Sequence, residues 1–161
     1  VFLLIAFFVF VGAGQEAAYE RSRSAVAGLT ARSAMITRYE TIAPQEPLGR
    51  AAELLLASHQ QDFPVVDAWG RVAGLLHRGA LLAALATPNG RERAVLEVMD
   101  REPQTVSADM PLEAVLRHLQ SRPLQPILVI GQETGESGLI GMITLDNLGE
   151  LIQISQASKP A

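Results

Sequence analysis

Met35, Thr41-Ile42, Pro47-Leu48, Pro64-Val65-Val66 and Gly74-Leu75-Leu76-His77 follow one another in the first half of this chain. The second half restates them in order as Met99, Thr105-Val106, Pro111-Leu112, Pro126-Ile127-Leu128 and Gly141-Met142-Ile143-Thr144. The offset is 64 residues for the first three pairs, 62 for the fourth and 67 for the last, so insertions and deletions fall between elements. A period this long exceeds the roughly 20–50 residues of solenoid and propeller repeats. It fits two small domains packed as a pair, because a unit of fewer than about 70 residues is hard to stabilise alone. Sheet against sheet is the expected interface.

Each copy reads β-α-β-β-α, an α+β pattern. In the first, a short strand over 40–43 precedes a helix with Pro47 in its first turn, where a missing N–H costs nothing. Leu48, Ala51, Ala52, Leu55 and Leu56 form its apolar stripe. Strands follow at 63–66 and 72–76 around the turn Asp67-Ala68-Trp69-Gly70, then a helix over 79–85. Pro88-Asn89-Gly90 breaks the chain, and 94–99 re-enters as a short helix. The second copy has a strand at 105–107 and a helix with Asp109 as N-cap, bearing Leu112, Val115, Leu116 and Leu119 on one face. Strands at 126–130 and 139–143 flank a Gly/Glu loop, and a last helix covers 145–154.

With 48% apolar but only 5% aromatic residues, the core must be built from Leu, Ala, Val and Ile. Net charge is −4 with the signs interspersed, and no basic stripe points to a nucleic-acid partner. Cysteine is absent, which removes disulfides and thiolate metal sites.

The chain opens in the apolar run Val1-Phe2-Leu3-Leu4-Ile5-Ala6-Phe7-Phe8-Val9-Phe10-Val11-Gly12-Ala13. Crossing a bilayer takes roughly 20 residues. The run therefore reads as the end of a truncated transmembrane helix, with a signal-peptide core and a buried element of a soluble domain as the alternatives. Phe on every helical face argues for lipid all round. Arg21, Arg23 and Arg32 follow closely, which puts the chain from about residue 14 onward in the cytoplasm. The expected organisation is 1–13 membrane helix end, 14–34 helical connector or stalk, 35–87 first repeat, 88–98 linker, 99–155 second repeat and 156–161 disordered tail.

No nucleophile–base–orienter set, H-E-x-x-H, P-loop or G-x-G-x-x-G after a strand is present, so no catalytic residue and no metal ligand is assigned. His59, His77 and His118 lack metal-ligand spacing, and His59 and His118 are expected to face solvent. A more specific constellation is a Gly-led apolar strand that runs into a helix at Thr144-Leu145-Asp146-Asn147. A helix start offers unpaired N–H groups and a positive dipole end. Thr144 and Asn147 could hold a sugar's hydroxyls there; equally, Thr144 could cap the helix while Asp146 complements its dipole.

These features together resemble tandem CBS domains, the Bateman module, over residues 35 to about 155. The resemblance implies two repeats related by a pseudo-twofold axis, and clefts that take AMP, ADP, ATP or S-adenosylmethionine. In that family a Ser/Thr and an Asp three residues later hold phosphate and ribose. Carried onto this sequence, those positions are Thr144 and Asn147 in the second copy, and His77 and Ala80 in the first, where the motif is lost. Thr105, Val106, Pro126 and Ile127 would line the second cleft. The family also implies a homodimer through the pair.

The segment Val9-Phe10-Val11-Gly12-Ala13-Gly14-Gln15-Glu16-Ala17-Ala18, followed by such a pair, is similar to the last membrane helix of site-2-protease-type zinc metalloproteases. That resemblance implies a regulatory module whose zinc-binding catalytic part lies upstream of Val1. A ligand-free dimerisation module and the CBS pair of a transporter or channel are the alternatives.

Overall fold

The computed structural model describes residues 26–122, 125–132 and 137–158. The apolar run at 1–13 and the tail from 159 lie outside the described residues. Among those described, no helix is long and apolar enough to cross a membrane.

The elements are α1 (Ala31–Ala34), α2 (Leu48–Ala57), β1 (Asp62–Val66), β2 (Val72–His77), α3 (Arg78–Leu85), β3 (Thr105–Ser107), α4 (Leu112–Ser121), β4 (Ile127–Gln132), β5 (Ser137–Ile143) and α5 (Leu145–Ala157). Two short 3-10 turns, Gly90–Glu92 and Val95–Glu97, fill the linker. The β-α-β-β-α order is present in both copies, with one asymmetry. In the second copy β3 runs parallel to β4, which pairs antiparallel with β5. In the first, the strand expected over 40–43 is reduced to a single parallel bridge, Ile42 to Val65, beside the antiparallel β1–β2 pair.

Alternation along the strands builds three apolar layers. Phe63, Val65 and Leu76 turn to α2 and α3, forming one core with Ile42, Leu48 and Leu81. Ile127, Val129 and Ile143 turn to α4 and α5, with Leu112, Val115 and Leu148. The residues between them in the strands, Leu75, Leu128 and Met142, meet in a third cluster, so the two sheets face each other as expected.

The lead-in to each copy is exchanged. Ile36 exchanges both backbone hydrogen bonds with Met142 on β5, at 2.8 and 3.0 Å. Asp100 does the same with Leu75 on β2, at 2.9 Å each way. Each copy thus receives a strand bridge from the segment that precedes the other. The Met and Gly of the repeat are partners across this exchange: a Cβ on Gly141 would collide with Met35, and one on Gly74 would sit 2.8 Å from the Met99 sulfur and 2.5 Å from the Asp100 carbonyl oxygen.

The exchange also corrects several local expectations. Asp109 does not cap α4; the N-cap is Pro111, which makes no side-chain cap bond. Instead the Leu112 amide donates to the Leu29 carbonyl at 2.9 Å, as the Leu48 amide does to the Arg93 carbonyl at 2.8 Å. Backbone from the opposite lead-in therefore satisfies the first helical N–H, and a Pro N-cap suffices. The stalk expected over 14–34 is, where described, a packed strap. Val26, Ala31 and Ala34 are buried in the second copy's core, and Ala31 and Arg32 donate to Met110 and Ala108. On α2, Leu54 is buried and Leu56, in the last turn, is 88% exposed. The helix expected over 94–99 is the 3-10 turn Val95–Glu97, and α5 extends to Ala157, into the segment read as tail.

Candidate functional site

A cleft of about 800 Å³ opens between the two copies. The lead-in brings Ile36, Arg38, Tyr39 and Glu40; the α2–β1 corner brings Ser58, His59, Gln60, Gln61 and Asp62; the second copy brings Gln125, Pro126, Met142, Thr144, Leu145, Asp146 and Asn147. The exchanged strand explains this composition, since Ile36 is bonded to Met142, two residues before Thr144.

Of the residues read from sequence, Pro126, Thr144 and Asn147 meet here. Three do not. Val106 and Ile127 are 4% and 0% exposed in the second copy's core, on the inward face of β3 and β4. Thr105 is exposed and borders separate hollows with Arg71 and Arg101 or with Ser107 and Asp109. The physical reason is the strand pleat: β3 stays paired with β4 in its own copy, with Val106 and Ile127 turned into the core, while the exchanged lead-in at 36–40 borders the cleft. The repeated Met and Gly carried the signal for Arg38, Tyr39 and Glu40, which sequence reading did not assign.

Thr144 is the N-cap of α5. Its Oγ1 accepts from the Asn147 amide at 3.3 Å and donates to Asn147 Oδ1 at 2.6 Å. The capping role is therefore real, and Asp146 stands in the first turn as expected. It does not exhaust the site. The Leu148 amide takes the Thr144 carbonyl, leaving the Leu145 and Asp146 amides without an intrahelical acceptor. Asn147 Oδ1 accepts the Thr144 hydroxyl, and the Nδ2 donors of the same amide take no part in the cap.

Gln60 fixes the opposite wall. Its Nε2 donates to the carbonyls of Glu40 and Asp62 and its Oε1 accepts from the Glu40 amide, each at 2.8 Å. The lead-in is thereby tied to β1. Ile36, Tyr39, Pro126, Met142 and Leu145 form an apolar wall suited to a flat ring, and polar groups gather at the helix start. In charge the cleft is lopsided: Arg38 faces Glu40, Asp62 and Asp146, with exposed His59 at the rim.

The corresponding position in the first copy is filled differently. His77 is the N-cap of α3 but makes no cap bond. Its Nδ1 lies 3.2 Å from Asp62 Oδ1 and its Nε2 3.6 Å from Asp100 Oδ2. The hydrogen bond to Asp62 is the main cause that raises its pKa; burial opposes this, and Asp62 and Asp100 add attraction. A raised folded pKa stabilises the fold fully below the unfolded value of about 6.5, and the gain is lost as pH rises through the folded value. Urea midpoints should therefore fall between about pH 6 and about pH 9, and the fall should be smaller in His77→Gln.

The CBS domain family model matches residues 31–87 and 95–153. Comparison with curated proteins finds no match. Among solved structures, the chain is similar to the CBS-pair protein CBSX2 from Arabidopsis thaliana, with 22% identity, TM-score 0.72, and coverage of 83% of this chain and 100% of that one. CBSX2 in complex with AMP gives 22% identity, TM-score 0.68 and coverage of 82% and 100%. The CBS domain of the bacterial CNNM/CorC family Mg2+ transporter, in complex with ATP, gives 21%, 0.71, 86% and 97%. At these identities the likeness is one of fold. The two family matches fall on the two copies and together span well over half the chain, and so this chain belongs to the CBS domain family, as a tandem pair.

Proposed function

We propose that the chain is a regulatory CBS pair that binds an adenine nucleotide in the cleft at Thr144 and Asn147. The observation that carries this is the meeting, in one cleft, of apolar side chains with a helix start whose first amides lack an intrahelical acceptor and which bears Thr144 and Asn147. The AMP and ATP complexes of the CBSX2 and CNNM/CorC relatives support it. Regulation requires that the ligand bind one arrangement of the copies better than another. The strap at 26–36 is placed to respond, because Ile36 is bonded to β5, which runs directly into Thr144.

Isothermal titration of the full chain with AMP, ADP, ATP, adenosine and S-adenosylmethionine tests the reading. With three carboxylates against Arg38, AMP should bind about threefold to tenfold more tightly than ATP, since each added phosphate meets more repulsion. One AMP per chain is expected, because His77 and Ala80 stand at the first-copy position. Absence of heat and of a melting shift with every ligand at millimolar concentration would refute it.

In this proposal the pair lies on the cytoplasmic side of a membrane protein, a site-2-type zinc protease. The support is the resemblance of residues 1–18. The alternative, the CBS pair of a transporter, has as its support the fold likeness to the CNNM/CorC domain. An H-E-x-x-H motif in an apolar upstream segment decides for the protease, and its absence decides against it. A homodimer through the pair belongs to the same proposal, supported by Leu56, Leu82 and Ile154 exposed on α2, α3 and α5. Sedimentation with and without AMP separates a standing dimer from a ligand-driven one.

A further inference from the structure

We propose that His77 sets the anion affinity of the neighbouring cleft: by carrying a proton between Asp62 and Asp100, it neutralises the carboxylate that Asp62 presents to the ligand. The inference rests on the nucleotide reading above. Asp62 belongs to both places, lining the cleft and accepting from His77 at 3.2 Å. The other ring nitrogen is buried, makes no hydrogen bond, and lies 3.6 Å from the Asp100 carboxylate, within ion-pair range. Two carboxylates, one at hydrogen-bond distance and one at ion-pair distance, favour the imidazole form that carries a proton on both nitrogens, which is the charged one.

The three side chains are 23%, 23% and 26% exposed, so solvent screens them only in part. Among the described residues no ion pair gives Asp62 or Asp100 an arginine or lysine. Of the charged neighbours, Arg78 on α3 is exposed and Arg101 donates to the Leu96 carbonyl. Asp100 takes a further amide, that of Glu102, at 2.9 Å. Across the cleft stand Arg38, Glu40, His59 and Asp146. Loss of the His77 proton therefore leaves Asp62, among the described residues, without a charged ion-pair partner beside the ligand. An anion then binds less well, and by reciprocity a bound anion holds the proton on His77.

The test is AMP titration of the full chain from about pH 6 to about pH 8.5, beside His77→Gln and Asp62→Asn, with the imidazole resonances followed with and without AMP. Ionisation of the AMP phosphate is common to all three proteins, so the difference between wild type and variant is the quantity read. Wild-type affinity should fall about threefold to tenfold more than that of either variant over this range. The His77 midpoint should lie above the ordinary imidazole value, and rise when AMP is bound. Asp100→Asn, outside the cleft, should lower the His77 midpoint and shift the affinity profile with it, which keeps the test open where His77→Gln does not fold. Measurable AMP binding with parallel profiles overturns this inference alone. No AMP binding at any pH overturns the nucleotide reading and this one with it.

Discussion

Gly74→Ala should destabilise the fold by about 2–3 kcal/mol, the upper part of the usual range for overpacking. The new methyl would stand 2.5 Å from the Asp100 carbonyl oxygen, on the backbone bridge that ties the second lead-in to β2. Backbone cannot swing aside without breaking the two Leu75–Asp100 hydrogen bonds. Gly141→Ala meets a softer obstacle, the Met35 side chain, and should cost about 1–2 kcal/mol. The two sites therefore differ in rescue. Met35→Ala removes the sulfur and Cγ that crowd Gly141 and leaves the Cβ at 2.8 Å, so the double variant should recover part of the loss, about 1 kcal/mol of coupling energy. Met99→Ala leaves the Asp100 carbonyl in place and should recover little at Gly74. Denaturant midpoints of the four single and two double variants read this directly; equal rescue at both sites would show that the lead-ins are not held as described.

The same exchange marks the boundary of what the residues disclose on their own. Apolar alternation at Phe63–Val66 and Leu75–Leu76 identifies strands, and helical spacing at Leu112, Val115 and Leu119 identifies a core-facing helix, because both signals are local. The repeat further shows that two such units exist and must cover each other. Which lead-in pairs with which sheet is a long-range matter, and local periodicity is silent on it. Arg38 and Tyr39 reach the cleft only through the long-range Ile36–Met142 bridge, and Val106 is kept from it by the face of β3 that meets the core. Asp109 fails as a cap for the same reason: the Leu29 carbonyl, far away in sequence, already holds the Leu112 amide. By contrast, Thr144 and Asn147 were legible because cap and donor lie three residues apart on one helix start. His77 was legible only as a departure from its counterpart. Its role depends on Asp62 and Asp100, which the fold alone brings to it.

Thr144→Ala should lower AMP affinity at least about tenfold while costing about 1 kcal/mol of stability, the usual worth of a lost N-cap. The larger loss in binding follows from geometry. Without Oγ1, the Asn147 amide and Oδ1 both lose their partner, and the side chain that offers Nδ2 to the ligand is no longer held. Asn147→Asp separates capping from recognition. A carboxylate in the first turn of α5 is favoured by the helix dipole and still accepts the Thr144 hydroxyl, so the fold should gain about 0.3–1 kcal/mol. Its second oxygen would accept from a ribose hydroxyl with charge assistance, which should tighten adenosine binding about threefold to tenfold. For AMP the same charge opposes the phosphate, in a cleft that already carries Glu40, Asp62 and Asp146. The variant should therefore raise the preference for adenosine over AMP relative to wild type. Calorimetry on both ligands measures that ratio. A fall in adenosine affinity on Asn147→Asp, with α5 intact by circular dichroism, would remove the ribose from this helix start.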